Sequence, residues 1–171
     1  MFTKVKSLNE LFEIELQYAS DCERKLLEKG LPAMIEAARS SELRAALQQH
    51  LQETRAHVSR LDSVFSAAGL QPKTRDNDII DKMMSAAKDS VSNIEDAALR
   101  DTALIANGNQ VEHYEIALYG SLAEFARRLG LEAAVGPLEQ TLQEEKNADA
   151  TLTQIATTAL NAKAVRAHGS D

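Results

Sequence analysis

The sequence predicts an all-α protein built as a four-helix bundle, and three observations predict it. The first is composition. Three prolines, seven glycines, four phenylalanines and no tryptophan stand beside abundant Ala, Leu, Glu, Gln and Lys, a balance that favours helix over strand. Second, apolar residues recur at alternating steps of three and four along four long stretches, the period of helices with one buried stripe. Third, the breaks between the stretches carry helix start and stop residues, Ser7, Ser40, Gly69 and Gly130 among them. At 171 residues the chain is expected to form one domain, 1–171, with ample length for a single core.

The elements follow in order. Ser7 is a good N-cap, and Glu10, three residues on, completes a capping box. The first long helix is expected over about 7–39, with a kink or brief break where Gly30 and Pro32 interrupt it. Ser40 and Ser41 cap the second, over about 41–68, which stops at Gly69. LQPKTRDND is a turn. A short amphipathic helix over about 78–92 follows, with Ile79, Ile80, Met83, Met84 and Ala87 on one side. The third long helix runs over about 96–129 and ends at Gly130. The fourth covers about 131–162, with Pro137 expected to mark its true first turn. The tail VRAHGSD is expected to fray. Short loops within two hairpins, and a crossover of roughly 26 residues between them, describe ferritin-like connectivity rather than a simple up-down bundle.

Several function classes are excluded early. A net charge of −7 argues against nucleic acid, which calls for clustered Lys and Arg. No stretch of roughly 18 apolar residues is present to span a membrane. The N-terminal MFTKVKSLNE has no apolar core of a secretory signal. The lone Cys22 cannot form an internal disulfide, which fits a reducing compartment. The cytoplasm is the expected location.

The acids carry the functional signal. Glu23, Glu53 and His57 recur as Glu115, Glu145 and Asp149, each 92 residues later. Each set is one carboxylate on one helix and a two-ligand step on its neighbour, the layout of a dinuclear metal site inside a bundle. The third helix has a seam of Ile105, Gly108, Glu112, Glu115, Tyr119, Leu122, Ala126 and Leu129. The fourth reads Leu138, Leu142, Glu145, Asp149, Leu152, Ala156, Ala159, and the first Phe12, Leu16, Ala19, Glu23, Leu26. On the second, Leu43, Leu47, His50, Thr54, His57, Leu61, Val64 and Ala68 form the seam, with Glu53 beside it. No Lys or Arg lies on these seams at the level of the acids. Four or five buried carboxylates cannot all stay ionised alone; they must protonate, find a cation partner, or surround a metal. A divalent pair would neutralise about four negative charges. Against this stands chance, since a chain with 26 acids also produces repeated spacings of its own.

Neighbouring residues divide. Glu112 is read as a ligand, a carboxylate that moves with oxidation state, or an outer acceptor. His50 has Leu142 as its counterpart by offset, so a core or outer-shell role is expected. His113 falls off the seam as a surface or inter-helix residue, and Glu144 falls off it towards solvent. Cys22 is read as a small packing residue. Tyr114 and Tyr119 are read as packing groups able to bond a ligand.

The strings HLQET, RDTALIANGNQVEHYEIALYGSL and LEQTLQEEKNADATL resemble the YciE/YciF family of bacterial ferritin-like proteins. The similarity covers nearly the whole chain and is strongest at VEHYEIA and EEK. It implies a ferritin-like fold, a stress-response setting, a homodimer, and a dinuclear centre of the kind proposed for that family. Position by position it implies Glu23, Glu53, His57, Glu112, Glu115, Glu145 and Asp149 as metal ligands. The chain departs from the wider ferritin-like pattern in having one His where two are usual, and no Glu-x-x-His step.

An oxygen-rich cage with one imidazole suits hard or borderline cations, iron first and manganese next, with magnesium also compatible. The leading expectation is two divalent ions serving ferroxidase- or peroxidase-like chemistry on dioxygen or peroxide under stress. Two alternatives stay open: a non-enzymatic helical stress protein with a structural metal, and a partner-binding bundle whose cluster is protonated and empty. The apolar side of the short helix is expected to cover the bundle or supply a dimer surface.

Overall fold

The computed structural model describes residues 4–166. All regular elements among them are helical, and they form a ferritin-like four-helix bundle. Helix α1 (Leu8–Lys25) passes through a π-helical turn (Leu26–Gly30) into α2 (Leu31–Ala37), and α3 (Ser41–Ala67) returns antiparallel. The short α4 (Asp78–Ser92) bridges to α5 (Ala97–Arg128). Helix α6 (Glu132–Ile155) completes the second hairpin, followed by a second π turn (Ala156–Leu160) and α7 (Asn161–Arg166). Helices α5 and α6 pack most extensively; α3 packs on α6, and α1 on α5 and α3.

Local chemistry explains the boundaries. Ser7, Ser40, Asn77 and Asp96 each accept a backbone N–H from three residues on, capping α1, α3, α4 and α5. Helices α3 and α5 end alike. Gly69 and Gly130 take φ +70°, and the next residue's N–H reaches back to Phe65 and Ala126, at 2.9 Å in both cases. That closing bond needs a left-handed residue, which glycine supplies without steric cost.

Two features differ from the sequence expectation. Gly30 and Pro32 do not break the first helix, which instead widens by one residue, with Leu31 N–H bonding Leu26 O. A π turn absorbs one extra residue within the helix, and Pro32, at the start of α2, has no N–H to place. A Cβ at Gly30 would lie 2.9 Å from Leu26 Cδ2, so a larger residue there would make the Leu26 side chain shift. Pro137 is not in the first turn of α6, which starts at Glu132. The Gly130 closure redirects the chain early enough for the helix to begin ahead of the proline. Of the tail, Val165 and Arg166 continue α7, while 167–171 lie outside the described residues.

The interior has three layers. At one end, Phe12, Leu16, Leu61, Phe65, Leu122 and Leu138 form an apolar cluster. At the other, Leu31, Leu43, Leu47, Leu104, Leu152 and Ile155 form a second. Between them, along all four long helices, lie the buried polar residues Glu23, His50, Thr54, His57, Glu112, Glu115 and Glu145. No described helix is long and apolar enough to cross a membrane.

Two polar clamps hold the frame. Asn77 donates its backbone N–H to Asp21 and its side-chain amide to Tyr114 Oη and Tyr18 O, seating α4 on α1 and α5. Buried Asp101 accepts Arg39 N–H at 2.8 Å and Ser40 N–H at 2.6 Å, tying the start of α3 to α5. Asp101→Ala strands both donors and is expected to cost about 2–4 kcal/mol. Urea titration checks this; a midpoint unchanged from the wild type would refute the clamp.

Candidate metal centre

The polar layer contains two groups of ligand atoms, each lying within 4.8 Å of one another: Glu23, His57 and Glu145, and His50, Glu112, Glu115 and Glu145. Glu145 belongs to both and faces one oxygen to each. Its Oε1 lies 3.0 Å from His57 Nδ1 and its Oε2 3.6 Å from His50 Nε2. Glu23 Oε1 is 3.3 Å from His57 Nδ1, and Glu112 Oε1 is 3.3 Å from His50 Nε2. The two imidazoles are two turns apart on α3, with ring centroids 6.4 Å apart.

Sequence and structure assign some positions differently. Glu23, His57, Glu112, Glu115 and Glu145 come together, from all four long helices. Glu53 and Asp149 stand at the rim. Glu53 Oε2 lies 3.5 Å from His50 Nδ1 and its Oε1 accepts from Gln49, while Asp149 Oδ1 lies 3.4 Å from His113 Nε2. His50, expected to serve only the core or outer shell, lies inside the second group. The centre therefore presents two imidazoles, the number the wider ferritin-like pattern leads one to expect.

Outer contacts hold the inner groups. Glu144, expected on a solvated face, is half-buried and accepts from His57 Nε2 and Arg60 Nη1, both at 2.8 Å. Burial works against its charge, but bonds from Arg60, Gln140 and His57 outweigh that and hold its carboxyl below the usual range. An ionised Glu144 fixes His57 with its proton on Nε2 and leaves Nδ1 facing Glu23 and Glu145. Tyr119 Oη donates to Glu23 Oε1 at 2.5 Å, and Cys22 Sγ to Glu115 Oε1 at 3.6 Å. Burial pushes both donors up, so each keeps its proton.

The electrostatics are those of too many acids in one dry place. Burial raises Glu23, Glu112 and Glu115, and neighbouring carboxylates add to the shift. Burial opposes charge on the imidazoles, yet the surrounding carboxylates win: His50 is pushed up to about 9 and His57 to about 11. Even so, Glu23 Oε2, Glu112 Oε2, Glu115 Oε2, both Glu145 oxygens, His50 Nδ1 and His57 Nδ1 have no hydrogen-bond partner. The 3.0 Å approach of His57 to Glu145 is too poorly aligned to count as one. Orphaned acceptors converging in a closed layer fit a cation, which would satisfy several at once. A cleft of about 100 Å³ leads inward from Gln49, Glu53, Asn147 and Thr151 to His50 and Glu112.

Together, fold and site define a ferritin-like helical bundle with a buried carboxylate–histidine centre. The chain belongs to the family described as Domain of unknown function (DUF892), whose model matches residues 7–165. It is similar to Protein YciF of Escherichia coli (strain K12), 35% identical over 161 residues, covering 94% of this chain and 96% of that protein. The crystal structure of the E. coli stress protein YciF superposes with TM-score 0.87 at 33% identity, covering 92% of this chain and 99% of that one. YcfI of Rhodopseudomonas palustris, provisionally described as a structural protein, gives TM-score 0.86 at 35% identity over 90% of this chain and 98% of its own. A protein of Xanthomonas campestris shares the fold at 21% identity and TM-score 0.71, covering 94% of this chain and 98% of that one.

Proposed function

We propose that this chain is a stress-response protein that holds two divalent cations, iron first and manganese next, in its central layer and uses them on ferrous iron, dioxygen or peroxide. The observation that carries the reading is the convergence of orphaned buried donor atoms on Glu145, which is shared by both groups. Glu23, His57 and Glu145 would hold one ion, and His50, Glu112, Glu115 and Glu145 the other. Glu53 and Asp149 join the proposed set as rim carboxylates. A bound redox pair supplies electrons and Lewis acidity towards a small oxidant.

The protein's own part is positional. Glu144, itself gripped by Arg60, holds His57. Tyr119 and Cys22 steady Glu23 and Glu115, and the apolar clusters at either end keep bulk water out. The cleft of about 100 Å³ beside His50 and Glu112 gives small oxidants a route inward. The stress setting comes by similarity to the E. coli stress protein. The reading also includes a cytoplasmic homodimer, in which Ile79, 56% exposed on α4, contributes to the contact.

The test is turnover. Iron- or manganese-loaded protein should oxidise ferrous iron or consume peroxide, and chelated protein should not. The description of YcfI as a structural protein suits one second reading, a non-enzymatic helical protein whose metal, where bound, is structural. It predicts that chelation lowers the melting temperature while loaded protein shows no turnover on either substrate.

A further inference from the structure

A groove of about 540 Å³ opens between the first π turn and α2, the α4 helix, and the first half of α5. No residue of the candidate metal centre lines it. Its walls are apolar, chiefly Leu26, Met34, Met84, Val91, Leu104 and Val111. Met34 and Met84 are flexible and polarisable, and such side chains adapt to an irregular hydrocarbon. The size falls within the roughly 300–1,000 Å³ of small-molecule sites.

The charges at the groove run against those of the chain. The protein carries 26 acids and a net charge of −7, yet no Asp or Glu lines the groove, whereas Lys29, Lys88 and Arg100 do. Lys25 nearby is held by Asp21 and Asp81. Lys29 and Lys88 are exposed and face no carboxylate partner among the described residues. Arg100 is fixed by donating Nε and Nη2 to Ile94 O. An apolar trough edged by three cations in an acidic protein complements a ligand that is hydrocarbon along its length and anionic at its head.

We propose that this groove binds a free long-chain fatty acid. Its chain lies on the Leu26, Met34, Met84 and Leu104 surface, and its carboxylate is taken by the Lys29, Lys88 and Arg100 cations. The inference is independent of metal binding.

Calorimetric titration of the full chain with palmitate below its micelle concentration, alongside displacement of fluorescent cis-parinarate, tests it. One saturable site per chain is expected. Ala87→Trp, which fills the groove, should abolish displacement. Lys29→Glu with Lys88→Glu should weaken palmitate at least about tenfold while leaving hexadecanol unaffected. Those two lysines are exposed, so the double variant carries the test even where Ala87→Trp does not fold, as judged by circular dichroism. Absence of saturable binding, or equal affinity for palmitate and hexadecanol in the wild type, would overturn the proposal. So would binding to anionic vesicles without binding of monomeric palmitate, which points to a membrane surface. Conversion of a dimer to a monomer by Ala87→Trp in sedimentation would overturn it too, assigning the groove to a second copy.

Discussion

Replacing Glu145 by glutamine is expected to empty both halves of the centre. Most carboxylates in the layer belong to one group, so losing one leaves the other group largely intact. Glu145 belongs to both, with Oε1 towards His57 and Oε2 towards His50. Glutamine keeps the volume and removes the negative charge, which separates ligation from packing. Outer partners of metal ligands are worth about 10–100-fold in affinity, and an inner ligand shared by two ions should exceed that. Metal at a thousand times its Kd stabilises the fold by about 4 kcal/mol, a rise of roughly 8–16 °C in melting temperature for a chain of this size. Wild-type protein should show that rise on loading; Glu145→Gln should not. A variant that loads and stabilises like the wild type would remove Glu145 from the centre.

Acidity should move the metal-free and loaded proteins in opposite directions. Burial and mutual repulsion raise Glu112 and Glu115 well above 4.5 in the fold. The folded state therefore binds more protons than the unfolded one as pH rises past 4.5, and stability falls through that window. The imidazoles act in the same sense. Their contribution is fully present below 6.5 and is lost as pH rises through about 9 for His50 and about 11 for His57. The metal-free protein should accordingly melt at a lower temperature as pH increases. Metal needs these groups deprotonated, so loading should release protons and tighten as pH rises. Calorimetry in buffers of different ionisation enthalpy measures the release. No proton release, together with a flat melting profile for the metal-free form, would show that the acids are not the ligands.

The fold was legible because its signals are local and repeated. The seams, the caps at Ser7 and Ser40 and the stops at Gly69 and Gly130 depend on neighbours within one helical turn. The first π turn was not legible as such: Gly30 and Pro32 announce a disturbance, but the same residues fit a break or a widened turn, and Gly30 sits packed beside Leu26 and Met84. In the centre, seam position proved a better guide than internal repetition. His50 lies on the second helix's seam between Leu47 and Thr54, and that alone places it inward. The 92-residue offset pairs it with Leu142 and led away from it. The same offset pairs Glu53 with Glu145 and His57 with Asp149, yet one member of each pair is buried at the centre and the other stands at the rim. Of the three offset pairs, only Glu23 and Glu115 keep the same buried role in both hairpins. Glu144 was placed towards solvent because its contacts, His57 and Arg60, come from a helix remote in sequence.

Elemental analysis of protein purified without chelator or added metal, beside Glu23→Ala and Glu145→Ala, tests the central claim most directly. The account predicts about two iron or manganese atoms per chain, one of them lost with Glu23 and both with Glu145. Wild-type protein that takes up no metal even after ferrous or manganous loading would contradict it.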